Sequence, residues 1–228
     1  MFTIVIPCKN EEKYIGNLLN DLYLQKDVKF KVYIADANST DNTINIIEDF
    51  KSKLDIEIIE GGLPAIGRNN GLKLSKTKWT LFLDSDVKIK NKKLLSYAFK
   101  KAKQKKSDLL TCKLRSFDFK TNLIYFFNNI VIILSKYDKP FAVGSFMLFK
   151  TKKVKSLGGF HTDLMHCEDY FLSKQIDAKK FTVIDKYIYT DNRRFKKMSY
   201  MGMIKYFIKN IIERNNIDYF KKDINYWS

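Results

Sequence analysis

Two aspartates one residue apart, Asp84 and Asp86, directly follow the apolar run Leu81-Phe82-Leu83. Carboxylates fixed at the end of a buried strand offer hard oxygen ligands, which suit Mg2+ or Mn2+ holding a diphosphate. The plainer reading is a polar turn that closes a strand. Asp36 stands in the same relation to residues 31–35 (KVYIA), and alone it reads equally well as a turn former. Arg193-Arg194 follows a Tyr-rich segment. Adjacent guanidiniums there suit a diphosphate or an acceptor phosphate, with chance surface placement as the competing reading. Glu168-Asp169, taken alone, reads as acids favouring a helix N-terminus. His166, two residues earlier, is a poor candidate for a metal ligand.

Such residues need a frame. Residues 2–6 form a short apolar run closed by Pro7 and read as a buried strand. A helix follows with Ile15, Leu18, Leu19 and Leu22 on one face. The spacing predicts further strands over 31–35, 56–60 and 79–83, separated by helices that carry Ile44, Ile47 and Phe50 and that span about 64–75. Strands alternating with helices predict βαβ units and a mostly parallel sheet, in which ligands bind beyond the carboxyl ends of the strands. Asp36 and the Asp84/Asp86 pair all fall at such ends. A helix around Leu94–Ala102 follows, with a strand predicted over 109–114 and another over 181–184.

The chain has 228 residues, 45% of them hydrophobic, with three Pro and nine Gly. That is enough apolar material for a sizeable core and excludes a disordered tail, a disulfide miniprotein and a fibrous repeat. The formal charge is +17, yet only five of the 42 basic residues are Arg (68, 115, 193, 194 and 214). Base reading favours Arg, so a sequence-specific nucleic-acid protein is disfavoured. Residues 88–106 hold nine lysines and no acid, which reads first as a solvated helix face. Cys8, Cys112 and Cys167 lack the short spacing of a zinc or redox motif and read as reduced thiols of a cytoplasmic protein.

Two segments carry apolar residues in less settled patterns. Residues 123–134 (LIYFFNNIVIIL) are too short to span a bilayer, and read as a buried core helix or as a segment dipping into a membrane interface. Residues 196–228 interleave basic residues with Met198, Tyr200, Met201, Met203, Ile204, Phe207, Ile208, Ile211 and Ile212, the pattern of a basic amphipathic helix. It suits anionic lipid, a packing role on the main domain, or a dimer contact.

Taken in order, the motifs resemble family 2 inverting glycosyltransferases. Residues 5–12 (VIPCKNEE) resemble the family's IPxxNE opening, and residues 35–43 (ADANSTDNT) its VDDGSTDxT turn. Gly67-Arg68-Asn69-Asn70-Gly71 is similar to the ARNxG segment, and Asp84-Ser85-Asp86 to the DxD motif. Gly144-Ser145-Phe146, Gly158-Gly159-Phe160 and Glu168-Asp169 resemble the acceptor-side signature. The resemblance covers about residues 1–195. Ala37 and Asn38 depart from the usual acid and glycine of the turn, although Asn tolerates the left-handed backbone a turn requires. His161 stands where an acid often follows GGF.

The resemblance implies a GT-A fold: an α/β architecture with a Rossmann-like nucleotide-sugar-binding mixed sheet flanked by helices. The nucleotide-sugar half would occupy residues 1–110, the acceptor half 111–195, and a basic amphipathic helical tail 196–228. It implies that Pro7, Glu11 and Asp36 line the nucleotide pocket, that Arg68 contacts the nucleotide or diphosphate, and that Asp84 approaches the ribose or sugar. Asp86 would ligate a divalent metal (Mg2+ or Mn2+) bridging the phosphates. An inverting transfer also needs a base for the acceptor hydroxyl. Asp169 is the expected base, with Glu168 orienting it or the acceptor. The implied partners are a nucleotide-diphosphate sugar and a lipid-linked or cell-envelope glycan, with peripheral contact to the inner face of the cell membrane and no nucleic acid. A sugar nucleotidyltransferase is the alternative enzyme class, but IPCKNEE has no Gly for a phosphate loop after the first strand. A basic nucleic-acid-binding protein is the non-enzyme alternative.

Overall fold

Residues 2–8 send alternate side chains to opposite faces, and nearly all are buried, so this strand must lie inside a sheet covered on both sides. The computed structural model, which describes residues 1–223, shows this arrangement. Strand β1 (Phe2–Cys8) leads into α1 (Ile15–Tyr23), β2 (Phe30–Asp36) into α2 (Thr43–Phe50), and β3 (Ile56–Glu60) into α3 (Pro64–Leu74). β4 (Trp79–Phe82) leads into α4 (Leu94–Gln104), and β5 (Leu109–Arg115) into α5 (Phe119–Leu134). There follow β6 (Met147–Lys150), α6 (Thr151–Ser156), α7 (Glu168–Ser173), β7 (Phe181–Tyr189), α8 (Arg193–Met198), α9 (Tyr200–Ile212) and α10 (Ile217–Phe220).

The seven strands form one sheet in the order β3-β2-β1-β4-β6-β5-β7. β1, β2, β3 and β4 run parallel, as the alternating pattern predicts. β6 then reverses direction against both β4 and β5, and β7 is parallel to β5 with a register shift after Cys112. Only four residues long, β6 gives no period-two signal in the sequence, and its pairing to β4 makes the sheet mixed.

One face of the sheet packs Phe2, Ile4 and Ile6 against Ile15, Leu18 and Leu19 of α1 and Leu94 and Leu95 of α4. The other packs Val5, Phe82 and Phe149 beneath Ala65 and Leu72 of α3. Helix α3 approaches the sheet closely through Gly67 and Gly71. A β-carbon added at Gly71 would lie 2.4 Å from Val5 Cγ1, so this glycine sets the depth at which α3 carries Arg68. Val5 is a stiff β-branched residue on an inner strand and has little room to yield. Gly71→Ala should therefore destabilise the protein by about 1–3 kcal/mol through overpacking, read as a lowered denaturant midpoint at unchanged slope.

The basic segment after residue 195 is mostly helical where described, with a break at Ser199 and a turn over residues 213–216. Phe195, Met203 and Tyr206 reach the main core from α8 and α9. Among the described residues no helix is long and apolar enough to cross a membrane. The predicted tail beyond residue 223 lies outside the described residues.

Candidate active site

The chain leaves β1 for β2 on one side and reaches β4 on the other, so the carboxyl ends of β1, β2 and β4 meet at a topological switch point. Cys8 and Asp36 pair in register at that edge, and Asp84 follows β4. The ends of the first strands thus place acids from separate motifs along one crevice. The Cys8 thiol registers the crowding: burial pushes its pKa up, and the charges of Glu11, Asp36 and Asp41 push it further.

Arg68 is carried inward on α3 and is 1% exposed. Its Nη2 donates to Asp84 Oδ1 at 2.6 Å, and its Nη1 donates to Glu168, one hundred residues away in sequence. The Phe160 ring lies 5.4 Å below the guanidinium carbon. Burial pulls its pKa down, but the charges of Asp84, Glu168 and Asp169 outweigh that and hold it above the ordinary arginine value. Gly144 leaves the space for it, because a β-carbon there would lie 2.5 Å from Nη2. Arg68 therefore ties the end of β4 to the start of α7. Ser145 Oγ holds the other oxygen of Asp84 at 3.1 Å.

A second guanidinium closes the opposite wall. Arg193 donates to both oxygens of Glu11, at 2.9 and 2.6 Å, and its Nη2 lies 3.4 Å from Asp86 Oδ2. Its guanidinium also stacks over Tyr14, 4.8 Å from the ring centre. Burial, with the charges of Asp84 and Glu11, pushes the Asp86 carboxyl up to about 6, while Arg193 and Arg194 pull the other way. A cleft of about 330 Å³ lined by Asn10, Glu12, Lys13, Tyr14, Asp41 and Arg193 opens beside this pair.

Asp169 sits at the start of α7, after a turn in which Cys167 takes the left-handed conformation with φ of 59°. That backbone is costly for a residue with a side chain, and it delivers Glu168 and Asp169 together to the crevice. Glu168 turns to Arg68, while Asp169 accepts from the backbone amides of Gly144 at 2.7 Å and Tyr170 at 2.7 Å. Burial and then the adjacent Glu168 charge push the Asp169 carboxyl up; Arg68 and the two amides oppose them without cancelling the rise. A partly buried carboxylate with raised proton affinity, beside the Arg68 clamp, is suited to general-base work.

The family description "Glycosyl transferase family 2" matches residues 3–159. The chain belongs to this family. It is 37% identical over 120 residues to the poly(ribitol-phosphate) beta-N-acetylglucosaminyltransferase TarS of Staphylococcus aureus, covering 50% of this chain and 21% of that protein. It is 29% identical over 199 residues to a poly(ribitol-phosphate) beta-glucosyltransferase of Bacillus spizizenii, covering 82% of this chain and 31% of that one. The chain thus spans a third or less of the length of these two relatives. A crystal structure of TarS residues 1–349 in complex with UDP-GlcNAc superposes with a TM-score of 0.68 at 25% identity, covering 83% of this chain and 58% of that one. A mannosyltransferase from Pyrobaculum calidifontis, in complex with GDP-Man and Mn2+, shares the fold with a TM-score of 0.69 at 21% identity, covering 82% of this chain and 55% of that one. The mixed seven-stranded sheet flanked by helices is that of these GT-A neighbours.

Within this family member, the residues singled out in the sequence fall into two connected groups. Glu11, Asp86 and Arg193 form one, and Arg68, Asp84, Glu168 and Asp169 the other. Arg194 lies near enough for its charge to reach Asp86. Pro7 is half-buried in β1 opposite Ala35. Asp36 stands apart: its carboxylate accepts from Ser39 N at 3.0 Å and Ser39 Oγ at 2.5 Å, and so shapes the turn that Asn38 completes at φ of 57°. His166 is buried against Tyr206, its Nδ1 lying 3.2 Å from the Tyr206 hydroxyl, and burial holds its pKa down at about 4. Tyr14, Ser145 and the Gly144 amide are the additions from the structure. Ser145 and Gly144 lie inside a motif visible in sequence, whereas nothing about Tyr14 marks it there.

The donor set fits a divalent cation of the kind expected. Asp86 offers a hard oxygen in a buried position, near the Asp84 and Glu11 carboxylates and faced by Arg193. Among the described residues no group of three or more His, Cys, Asp or Glu could hold a metal ion by itself. Mg2+ and similar ions commonly take one or two carboxylates and complete their shell with substrate phosphates and water, so Asp86 would be the anchor of a site the donor completes.

Proposed function

We propose that this chain is the catalytic domain of an inverting glycosyltransferase. It transfers a sugar from a nucleotide-diphosphate donor to a hydroxyl of a phosphate-bearing or lipid-linked cell-envelope glycan. The observation that carries the reading is the convergence at one switch point of the Asp86–Arg193–Glu11 group and the Asp84–Arg68–Glu168 clamp, with Asp169 beside the latter. The relatives that act on poly(ribitol-phosphate) support an anionic polymer as acceptor.

Asp169 takes the proton from the acceptor hydroxyl. The acceptor oxygen then attacks the anomeric carbon on the face opposite the leaving group, and the bond from that carbon to the diphosphate oxygen breaks. The electron pair leaves with the nucleoside diphosphate and the proton stays on Asp169. Arg193 and Arg194 supply positive charge where the leaving group gains its negative charge. A divalent cation at Asp86 would supply further charge neutralisation there. Arg68 holds Asp84 and Glu168 in fixed positions, so the donor-side and acceptor-side carboxylates keep their separation.

The test is a thermal-shift titration with UDP and UDP-sugars, with and without Mn2+. Ligands that bind the native state raise its midpoint. Mn2+ should increase the shift given by UDP in the wild type. Asp86→Asn should lose that increment and lower transfer by roughly 100-fold. A wild-type protein that binds no nucleoside diphosphate, or an Asp86→Asn variant that keeps the Mn2+ increment, would sink the assignment.

A further inference from the structure

Helix α5 is built inside out. Its inward amides hold it to the backbone of β5 and the residue after it: Asn129 bonds both the N–H and the carbonyl of Leu114 at 2.8 and 2.9 Å, and Asn122 does the same for Ser116, at 2.8 Å each. Thr121, Tyr125 and Ile132 are the residues buried along it. Phe119 is 83% exposed, and Leu123, Phe126, Phe127, Ile130 and Leu134 continue the outward stripe at helical spacing. The core reading of residues 123–134 therefore accounts for Tyr125 and Ile132, with Ile124 partly buried against the same core. A second stripe runs along α9, where Met201, Ile204, Ile208, Ile211 and Ile212 face outward. The two helices begin side by side, joined where the Tyr200 hydroxyl donates to Asp118 at 2.7 Å.

We propose that these two outer stripes seat the protein on an anionic lipid surface. The charges around them decide the occupant. Lys120 lies at the start of the α5 stripe, Lys136 and Lys139 follow it, and Lys205 and Lys209 interrupt the α9 stripe, all of them exposed. The acids nearby are fewer: Asp118 is engaged as the cap of α5 and by Tyr200, and Asp138 and Glu213 stand near the helix ends. An apolar face rimmed by lysines matches a bilayer, in which Phe and Leu reach the acyl boundary while ammonium groups meet anionic headgroups. In a two-fold self-pairing the same lysines would confront one another. At 16 residues α5 is about 24 Å long, which suits lying in the interface rather than crossing it. The inner side of α5 joins the strand that leads to Arg193: the Tyr125 hydroxyl lies 2.7 Å from Thr190 Oγ1, three residues before that arginine. A lipid-seated α5 would therefore hold the Arg193 segment near the membrane surface.

The seat is tested without reference to transfer, by co-sedimentation of the 228-residue chain with vesicles. Vesicles of phosphatidylcholine with phosphatidylglycerol should carry the protein down, less so as salt rises, and phosphatidylcholine alone should not. Phe126→Ser with Phe127→Ser should lower the partition coefficient by about tenfold or more, leaving the UDP thermal shift unchanged. Lys136→Glu with Lys139→Glu should weaken binding to the anionic vesicles. No vesicle binding by the wild type, or equal binding by the phenylalanine variant, would overturn the proposal. So would light scattering that shows a stable dimer dissolved by the same two substitutions, since a second copy would then be the occupant.

Discussion

Replacing Arg68 by methionine should cost the fold about 3–5 kcal/mol at neutral pH, a loss of roughly 6–20 °C in midpoint for a chain of this size. The size follows from what is left behind. Arg68 is fully enclosed and shares its guanidinium between Asp84 and Glu168, and the Glu168 side chain is only 5% exposed. Without the cation, Glu168 becomes an unpaired carboxylate in a low-dielectric site, which is costly. Arg68 also opposes the rise of the Asp169 carboxyl, so the variant's loss relative to wild type should shrink as pH falls from 7 to 5 and that acid takes up its proton. Arg68→Lys should also be defective, since one ammonium cannot span two carboxylates held by separate nitrogens of a planar fork. Denaturant unfolding at both pH values measures all of this. A loss under 1 kcal/mol in Arg68→Met would show that the clamp is incidental. If Glu168→Gln in the Arg68→Met background restored nothing, the unpaired-charge explanation would fail.

That clamp also marks where sequence reading runs out. The first four strands were legible because β1, β2 and β4 are near-continuous apolar runs, and Asp36, Asp84 and Asp86 announced themselves by following such runs. The family's ordered motifs supplied Arg68, Glu168 and Asp169 as separate residues. Nothing in their spacing says that Arg68 bridges Asp84 to Glu168, or that Arg193 reaches back across 182 positions to Glu11. Such pairs are decided by how α3, α7 and α8 pack, and packing follows from the whole set of buried surfaces. Helix α5 shows the converse problem. Its composition predicts burial as readily as exposure, and the decision rests on Asn122 and Asn129, whose amides bind the backbone of β5 and the residue after it and turn the apolar residues outward. The short antiparallel β6 is no shorter than β4, but β4 falls within the strand–helix alternation whereas β6 lies outside it and displays no period of its own.

Asp169→Asn should abolish measurable transfer, with a loss of about 100- to 10,000-fold in kcat, while the UDP thermal shift stays at the wild-type value. Asparagine preserves the shape and one amide-accepting oxygen, so the Gly144 and Tyr170 contacts are only partly lost and the fold should survive. What disappears is the group that accepts the acceptor's proton. The pH profile separates this role from a merely structural one. Burial and the Glu168 charge raise the proton affinity of Asp169, so its basic form is lost earlier on acidification than for an ordinary carboxylate of pKa about 3.9. In the wild type, kcat/KM should fall as pH falls, with a midpoint well above that value. Glu168→Gln removes one of the two causes of the rise, and the midpoint should move to lower pH even though overall activity drops with the broken Arg68 contact. A downward shift requires Asp169 to be the titrating base. An unmoved midpoint in Glu168→Gln, or transfer by Asp169→Asn within tenfold of wild type, would assign the proton transfer to another group.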